Sequence, residues 1–138
     1  MATELGAEIR LPVPYADAVR RVRDALTREG FGVLSEIDMR EKFKEKLDRD
    51  FRPYLILGAC RPPLAYEALL ADPAVGLLLP CNVTVEADGP HASVVRLTDP
   101  GVLLRLADLA GTEALRAVSD DAGARLGRVA EALGDGSP

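Results

Sequence analysis

The chain has no tryptophan, one histidine, two cysteines and an aromatic content of only 4%. Each shortage excludes something. With so few aromatics, the core has to be built from Leu, Val, Ala and Ile. Two cysteines in 138 residues do not make a disulfide scaffold. A zinc site needs four N, S or O ligands, and here there is no CxxC pair and a lone histidine, so no metal or cofactor is expected. No run approaches the ~20 apolar residues of a membrane-spanning helix. The N-terminal stretch MATELGAEIR has neither the basic start nor the apolar segment of a secretory signal. The expectation is a cytoplasmic protein with reduced thiols. A cation surplus is also missing: net charge is −5, which argues against a nucleic-acid surface. The one basic run, Arg40 to Arg52, is interleaved with Glu41, Glu45, Asp48 and Asp50, the mark of a solvated helix face.

What is present is an ordinary globular composition, 48% hydrophobic and 28% charged, in a length suited to one domain, residues 1–138, with 134–138 as a frayed tail. Alternation of Ile9, Leu11 and Val13 predicts a strand over 8–13. Val19, Val22 and Leu26 then fall at helical spacing over 15–29, ended by Gly30. A strand follows over 31–39, and a short charged helix over 40–49 with Met39, Phe43 and Leu47 as its seam. The stretch RPYLILGAC is apolar on both faces and reads as an interior strand. Pro62 and Pro63 start a helix that Asp72-Pro73 closes.

The next stretch, GLLLPCNVTV, reads as two extended pieces, 75–79 and 81–86, bent at Pro80, which cannot donate to a ladder. A turn at ADGPH returns the chain as a hairpin partner over 92–98. Asp99-Pro100 begins a helix to about 110, Gly111 breaks it, and a last helix spans about 112–133 with Leu115, Val118, Ala122, Val129 and Leu133 on one stripe. Gly123 and Gly127 inside it imply close packing by another element or dependence on tertiary contacts. The sum is α+β: two layers, one mixed or antiparallel sheet of about five strands packed by helices, the last helix C-terminal.

Cys60 is a candidate site residue because it sits where a strand hands over to a helix. Backbone N–H groups, the positive helix end and Arg61 there would lower its pKa. Cys81 follows Pro80 and shares a face with Val83 and Val85. Both cysteines are equally read as small buried hydrophobes. His91 falls at the hairpin tip, ~25 Å from Cys81 at ~3.3 Å per residue, which excludes a dyad within one subunit. Glu36, Asp38 and Asp99 would do acid–base work only if folding brought them together, and Asp99 has sufficient work as a cap. Asn82 either orients a ligand or satisfies backbone beside Pro80. Gly30-Phe31-Gly32 precedes a strand, the wrong order for a dinucleotide fingerprint.

The stretch YLILGACRPPLAYEALLADPAVGLLLPCNVTV resembles domain-of-unknown-function family 302. The match is carried by Cys60, Pro62, Leu64, Ala65, Asp72-Pro73, Gly76, Pro80, Cys81 and Asn82, with GFGVLSEIDM upstream, and extends over roughly residues 5–133. Where the family pattern has Asn after the first cysteine, this chain has Arg61. The resemblance implies a compact two-layer α+β domain, often a homodimer, and no known activity. It also draws Cys60, Arg61, Pro62, Pro80, Cys81 and Asn82 into one expected pocket, with Pro80 bending Cys81 and Asn82 toward the 60–62 turn. On this basis the expected function is small-molecule binding or thiol redox sensing. The alternatives are a cysteine enzyme using Cys60, or a structural homodimerisation module joined through Leu115 and Val118 of the last helix.

Overall fold

The computed structural model describes residues 5–106 and 112–134, apart from the side chain of Leu106. In chain order the elements are β1 (Gly6–Leu11), α1 (Tyr15–Arg28), β2 (Gly32–Asp38), α2 (Met39–Leu47), β3 (Tyr54–Cys60), α3 (Pro62–Ala71), a 3-10 helix (Pro73–Leu78), β4 (Cys81–Ala87), β5 (Ser93–Thr98), α4 (Pro100–Leu106) and α5 (Glu113–Gly134). The five strands form one sheet in the order β1-β5-β4-β3-β2. Every pairing is antiparallel. The fold is α+β, as the sequence predicts, and the sheet is antiparallel rather than mixed. The break predicted at Gly111 and the end of its helix beyond Leu106 lie outside the described residues, as does the tail after Gly134.

Side chains alternate across each strand, so register decides what faces the helices. Leu55, Leu57 and Ala59 of β3 stand opposite Val85, Val83 and Cys81 of β4. Leu55, Leu57, Ala59, Val83 and Val85 are buried with Val22 and Leu26 of α1 and Leu126, Val129 and Leu133 of α5. Burying each such Leu or Val is worth about 1.5–3 kcal/mol. The other face of β3 is less covered: Ile56 and Tyr54 are half-buried, so this interior strand is fully packed on one side only. The buried core is Leu, Val and Ala with Phe31; Ile9 is only partly buried against it, and isoleucine supplies none of its buried members.

A second, smaller cluster joins Ala68 of α3, Val75 of the 3-10 helix, Leu104 of α4 and Leu115 of α5. The predicted extended piece 75–79 is therefore a correction. Asp72 accepts a hydrogen bond from the Ala74 N–H, and Pro73 begins the 3-10 helix. The apolar run alternates badly as a strand because Val75 is buried while Leu77 is 90% exposed. Pro80 immediately precedes β4, where its missing N–H costs no ladder bond; the Leu79–Pro80 peptide is cis.

In α5 the structure changes one expectation and decides between two alternatives for another. Leu115 is buried in its own fold, and Val118 packs against the same cluster, so their stripe faces inward and offers no dimer seam. Among the described residues, Gly123 and Gly127 meet nothing within 4 Å at the position of a Cβ. No described element packs closely on them, and α5 holds its shape through its buried stripe. The charged helix α2 has no buried residue; Lys44 pairs with Asp48 and Asp50, and Lys42 with Glu45. Phe43 meets Phe51 edge-on at 5.2 Å between ring centroids.

Candidate functional site

The turn after α1 sets one wall of the site. Gly30 adopts φ 85°, a conformation that glycine takes at little cost. Its N–H bonds to the Thr27 carbonyl, and that of Phe31 to the Leu26 carbonyl, which is the Schellman pattern of a helix C-terminus. The chain then turns Phe31 into the core. A second wall comes from the β3–α3 junction. Residue 61 precedes a proline and so is held extended, at φ −103° and ψ 103°. Pro62 and Pro63 follow at the first turn, and the Arg61 carbonyl accepts from the N–H groups of both Leu64 and Ala65.

Between the two core clusters lies a small chamber of about 70 Å³. Phe31, Ala59 and Cys81 line it from the sheet side, Cys60, Arg61, Leu64 and Ala68 from the β3–α3 segment, and Leu103, Leu115 and Val118 from α4 and α5. Apart from the Arg61 and Ser119 side chains and the two thiols, the lining side chains are hydrocarbon. The structure therefore brings together three of the six expected site residues, Cys60, Arg61 and Cys81. The other three are not among its lining residues. Pro62 is exposed at the start of α3, and Asn82 is exposed on β4, its carbonyl accepting from Thr98 Oγ1. Pro80 abuts Gly58, whose missing Cβ would fall 2.6 Å from Pro80 Cγ. Cys81 reaches the chamber because it begins a strand in register with Ala59; no strand runs before Pro80 to be bent.

Both cysteines are free thiols. Burial raises the Cys60 pKa above its ordinary value. Burial also pushes Cys81 up to about 11, with a further rise from Cys60 nearby. The helix-terminus effect expected to lower Cys60 does not materialise. Pro62 and Pro63 carry no N–H, and the first two that follow are spent on the Arg61 carbonyl. At neutral pH both groups are neutral thiols, poor nucleophiles and poor metal ligands. Among the described residues no three His, Cys, Asp or Glu side chains cluster as a metal site.

No base lies among the described residues that line the chamber. His91 is exposed at the hairpin tip, beyond the Ala87–Ser93 pair and at the opposite end of β4 from Cys81. The carboxylates are dispersed by topology. Glu36 and Asp38 are on β2 at one edge of the sheet, while Asp99 follows β5, with β4 and β3 between them. Each has a structural partner: Glu36 pairs with Arg23, Asp38 caps α2, and Asp99 accepts from the N–H groups of Gly101 and Val102 at the start of α4.

Sequence reasoning did not find that α4 and α5 close the chamber, because Leu103, Leu115 and Val118 carry only the spacing common to any buried helix. Nor did it find that Arg61 Nε lacks an acceptor among the described residues. Its Nε is shut off from solvent and has no hydrogen-bond partner.

Among the described residues no helix is long and apolar enough to cross a membrane. The model of the family "Domain of unknown function DUF302" matches residues 7–133. The crystal structure of an uncharacterized conserved DUF302 protein from Bacillus stearothermophilus is similar, with 26% sequence identity, a TM-score of 0.82, and coverage of 95% of this chain and 99% of that one. No curated protein matches the chain.

Proposed function

The chain belongs to the DUF302 family, whose name assigns no activity, and from the geometry of its own chamber we propose that the protein binds a small, largely apolar molecule between the sheet and helices α3 to α5. The observation that carries this reading is the chamber itself: a part-open hollow of about 70 Å³ walled by Phe31, Leu64, Leu103, Leu115 and two neutral thiols. Its lining offers water little to hydrogen-bond, which favours an apolar guest. The volume also bounds the guest. Drug-sized pockets run to ~300–1,000 Å³, so this one suits a few heavy atoms rather than a nucleotide or a sugar. The raised thiol pKa values favour this reading over redox sensing or a Cys60 nucleophile, both of which require thiolate. Free thiols fit the reducing, cytoplasmic setting the sequence suggests.

The test is xenon under pressure, followed by the methyl resonances of the protein. Saturable shifts at Leu64, Leu103, Leu115 and Val118, abolished by the filling variant Ala65→Leu in a folded protein, are expected. Shifts spread evenly over the surface, or none at these methyls, would reject the chamber as a binding site.

Self-association is a second reading, favoured by a specific feature. Tyr66, Leu70 and Leu77 are 64%, 64% and 90% exposed on α3 and the 3-10 helix, an apolar surface of the kind a second copy covers. Sedimentation of Leu70→Glu/Leu77→Glu is expected to give a smaller species than the unmodified chain. An unchanged sedimentation coefficient would defeat this reading.

A further inference from the structure

Both thiols of the chain open into one hollow of otherwise unreactive side chains. Cys81 stands opposite Ala59 in the β3–β4 register, and Cys60 is the next residue along β3. With ~4.8 Å between strands and ~3.3 Å per residue, their Cα atoms lie ~6 Å apart. That is inside the ~4.4–6.8 Å over which two cysteines can be bridged. Both cysteines are free and only part-buried, and Cys60 is close enough to Cys81 to add to the rise in its pKa. The only charged side chain in the described lining is Arg61. Its one hydroxyl, on Ser119, already donates to the Arg116 carbonyl.

This pairing selects among thiol ligands. Two sulfurs are too few for zinc, which takes four ligands, and among the described residues no third His, Asp or Glu joins them. A bis-thiolate of a monovalent ion would carry a negative charge into hydrocarbon, which is costly. A divalent ion leaves a neutral pair only by releasing two protons from thiols that hold them tightly. A trivalent arsenic that already holds one carbon meets every limit: it takes two sulfurs and leaves a neutral adduct. Resting on the binding function proposed above, we propose that the ligand is a mono-alkyl arsenic(III) hydroxide, held by Cys60 and Cys81 together, with its alkyl group against Leu64 and Leu115. The step balances without a redox partner. Two S–H and two As–O bonds break, two As–S bonds form, and each thiol proton leaves with a hydroxyl as water. Arsenic stays trivalent throughout. Because the proton departs in water, neutral thiols suffice, and the burial that holds them neutral does not oppose the adduct. The hollow of about 70 Å³ holds on the order of five water-sized groups at about 10–15 Å³ each, which is room for arsenic and a methyl group.

The probe is methylarsonous acid, CH3As(OH)2, followed by native mass spectrometry, a thiol count and the methyl resonances of the chamber. One equivalent is expected to bind with loss of both thiols, its methyl group giving Overhauser contacts to Leu64 and Leu115. Cys60→Ala and Cys81→Ala are each expected to weaken it at least a hundredfold. Arsenite, whose third hydroxyl would be buried among hydrocarbon, is expected to bind at least tenfold more weakly. Affinity is expected to change by less than twofold between pH 6 and pH 8, since no proton is released. An adduct of the unmodified chain that retains one hydroxyl and leaves one thiol free would mean that the sulfurs do not act together; it overturns the proposal whether or not the variants fold. Affinity that climbs with pH would likewise overturn it, and equal binding of arsenite would overturn the alkyl assignment. Failure of the arsenical while xenon still enters the chamber would overturn the dithiol assignment alone. Failure of both would overturn the binding function as well.

Discussion

Thiol reactivity is the sharpest check on the chamber's chemistry. Cys81 is pushed up to about 11 by burial and by Cys60. At pH 7.5 the thiolate fraction is then ~0.03%, against ~9% for a free cysteine of pKa ~8.5, a deficit of roughly 300-fold. A more basic thiolate is intrinsically more nucleophilic; with a Brønsted slope of ~0.45 over ~2.5 units, that returns about 13-fold. The net expectation is alkylation roughly 20-fold slower than a free thiol, before shielding slows it further. The assay is iodoacetamide labelling of the native protein from pH 6.5 to 10, with each cysteine read separately by mass spectrometry and the urea-unfolded chain as reference. The Cys81 rate is expected to rise tenfold per pH unit with no plateau, and Cys60 to level off above its ordinary value. A plateau below pH 8.5 at either cysteine, or native labelling at pH 7.5 as fast as in urea, would refute the neutral-thiol argument and restore a nucleophile or redox role.

Three further outcomes follow from packing and charge. Gly123→Ala and Gly127→Ala are expected to stabilise by up to ~1 kcal/mol each, since a Cβ meets nothing within 4 Å at either position; thermal unfolding should move up by about 3–5 °C per substitution. Gly58→Ala is expected to destabilise by about 1–3 kcal/mol in urea titration, because its Cβ would fall 2.1 Å from Ser35 Oγ and 2.6 Å from the Pro80 ring. The third concerns Glu86, which is only 6% exposed. Burial alone would raise its pKa, but hydrogen bonds and charge from Arg52 and Arg96 outweigh it and hold the carboxyl below its ordinary value. A depressed folded-state pKa gives stability that is present above the unfolded carboxylate value and lost as pH falls through the folded one. Stability is therefore expected to decline below about pH 4.3, and Glu86→Gln to flatten that decline; an unchanged acid limb would refute the pairing.

Much of this protein was legible in one dimension, because periodicity and turn chemistry are local. The doubly apolar run RPYLILGAC and the stretch 81–86 mark two strands, a turn at ADGPH returns the chain to β5, and Pro62-Pro63 marks a helix start. The scarcity of cysteine and histidine, itself a sequence property, left little material for a metal centre or a nucleophile–base pair. The same local logic misread 75–79, where an apolar run looks like a strand until Asp72 caps a 3-10 helix, and it misjudged the α5 stripe, since spacing shows that a face is buried and not what buries it. Only the tertiary structure decided the site. Strand register put Cys81 opposite Ala59 and so into the chamber with Cys60, whereas Asn82, one residue later, points to the other face. Assembly of α3, α4 and α5 over the sheet end walled the chamber and raised both thiol pKa values by burial. It also left Arg61 Nε buried near Arg125 and without a hydrogen-bond partner among the described residues, a placement that depends on contacts between residues up to 99 positions apart and that no local pattern records.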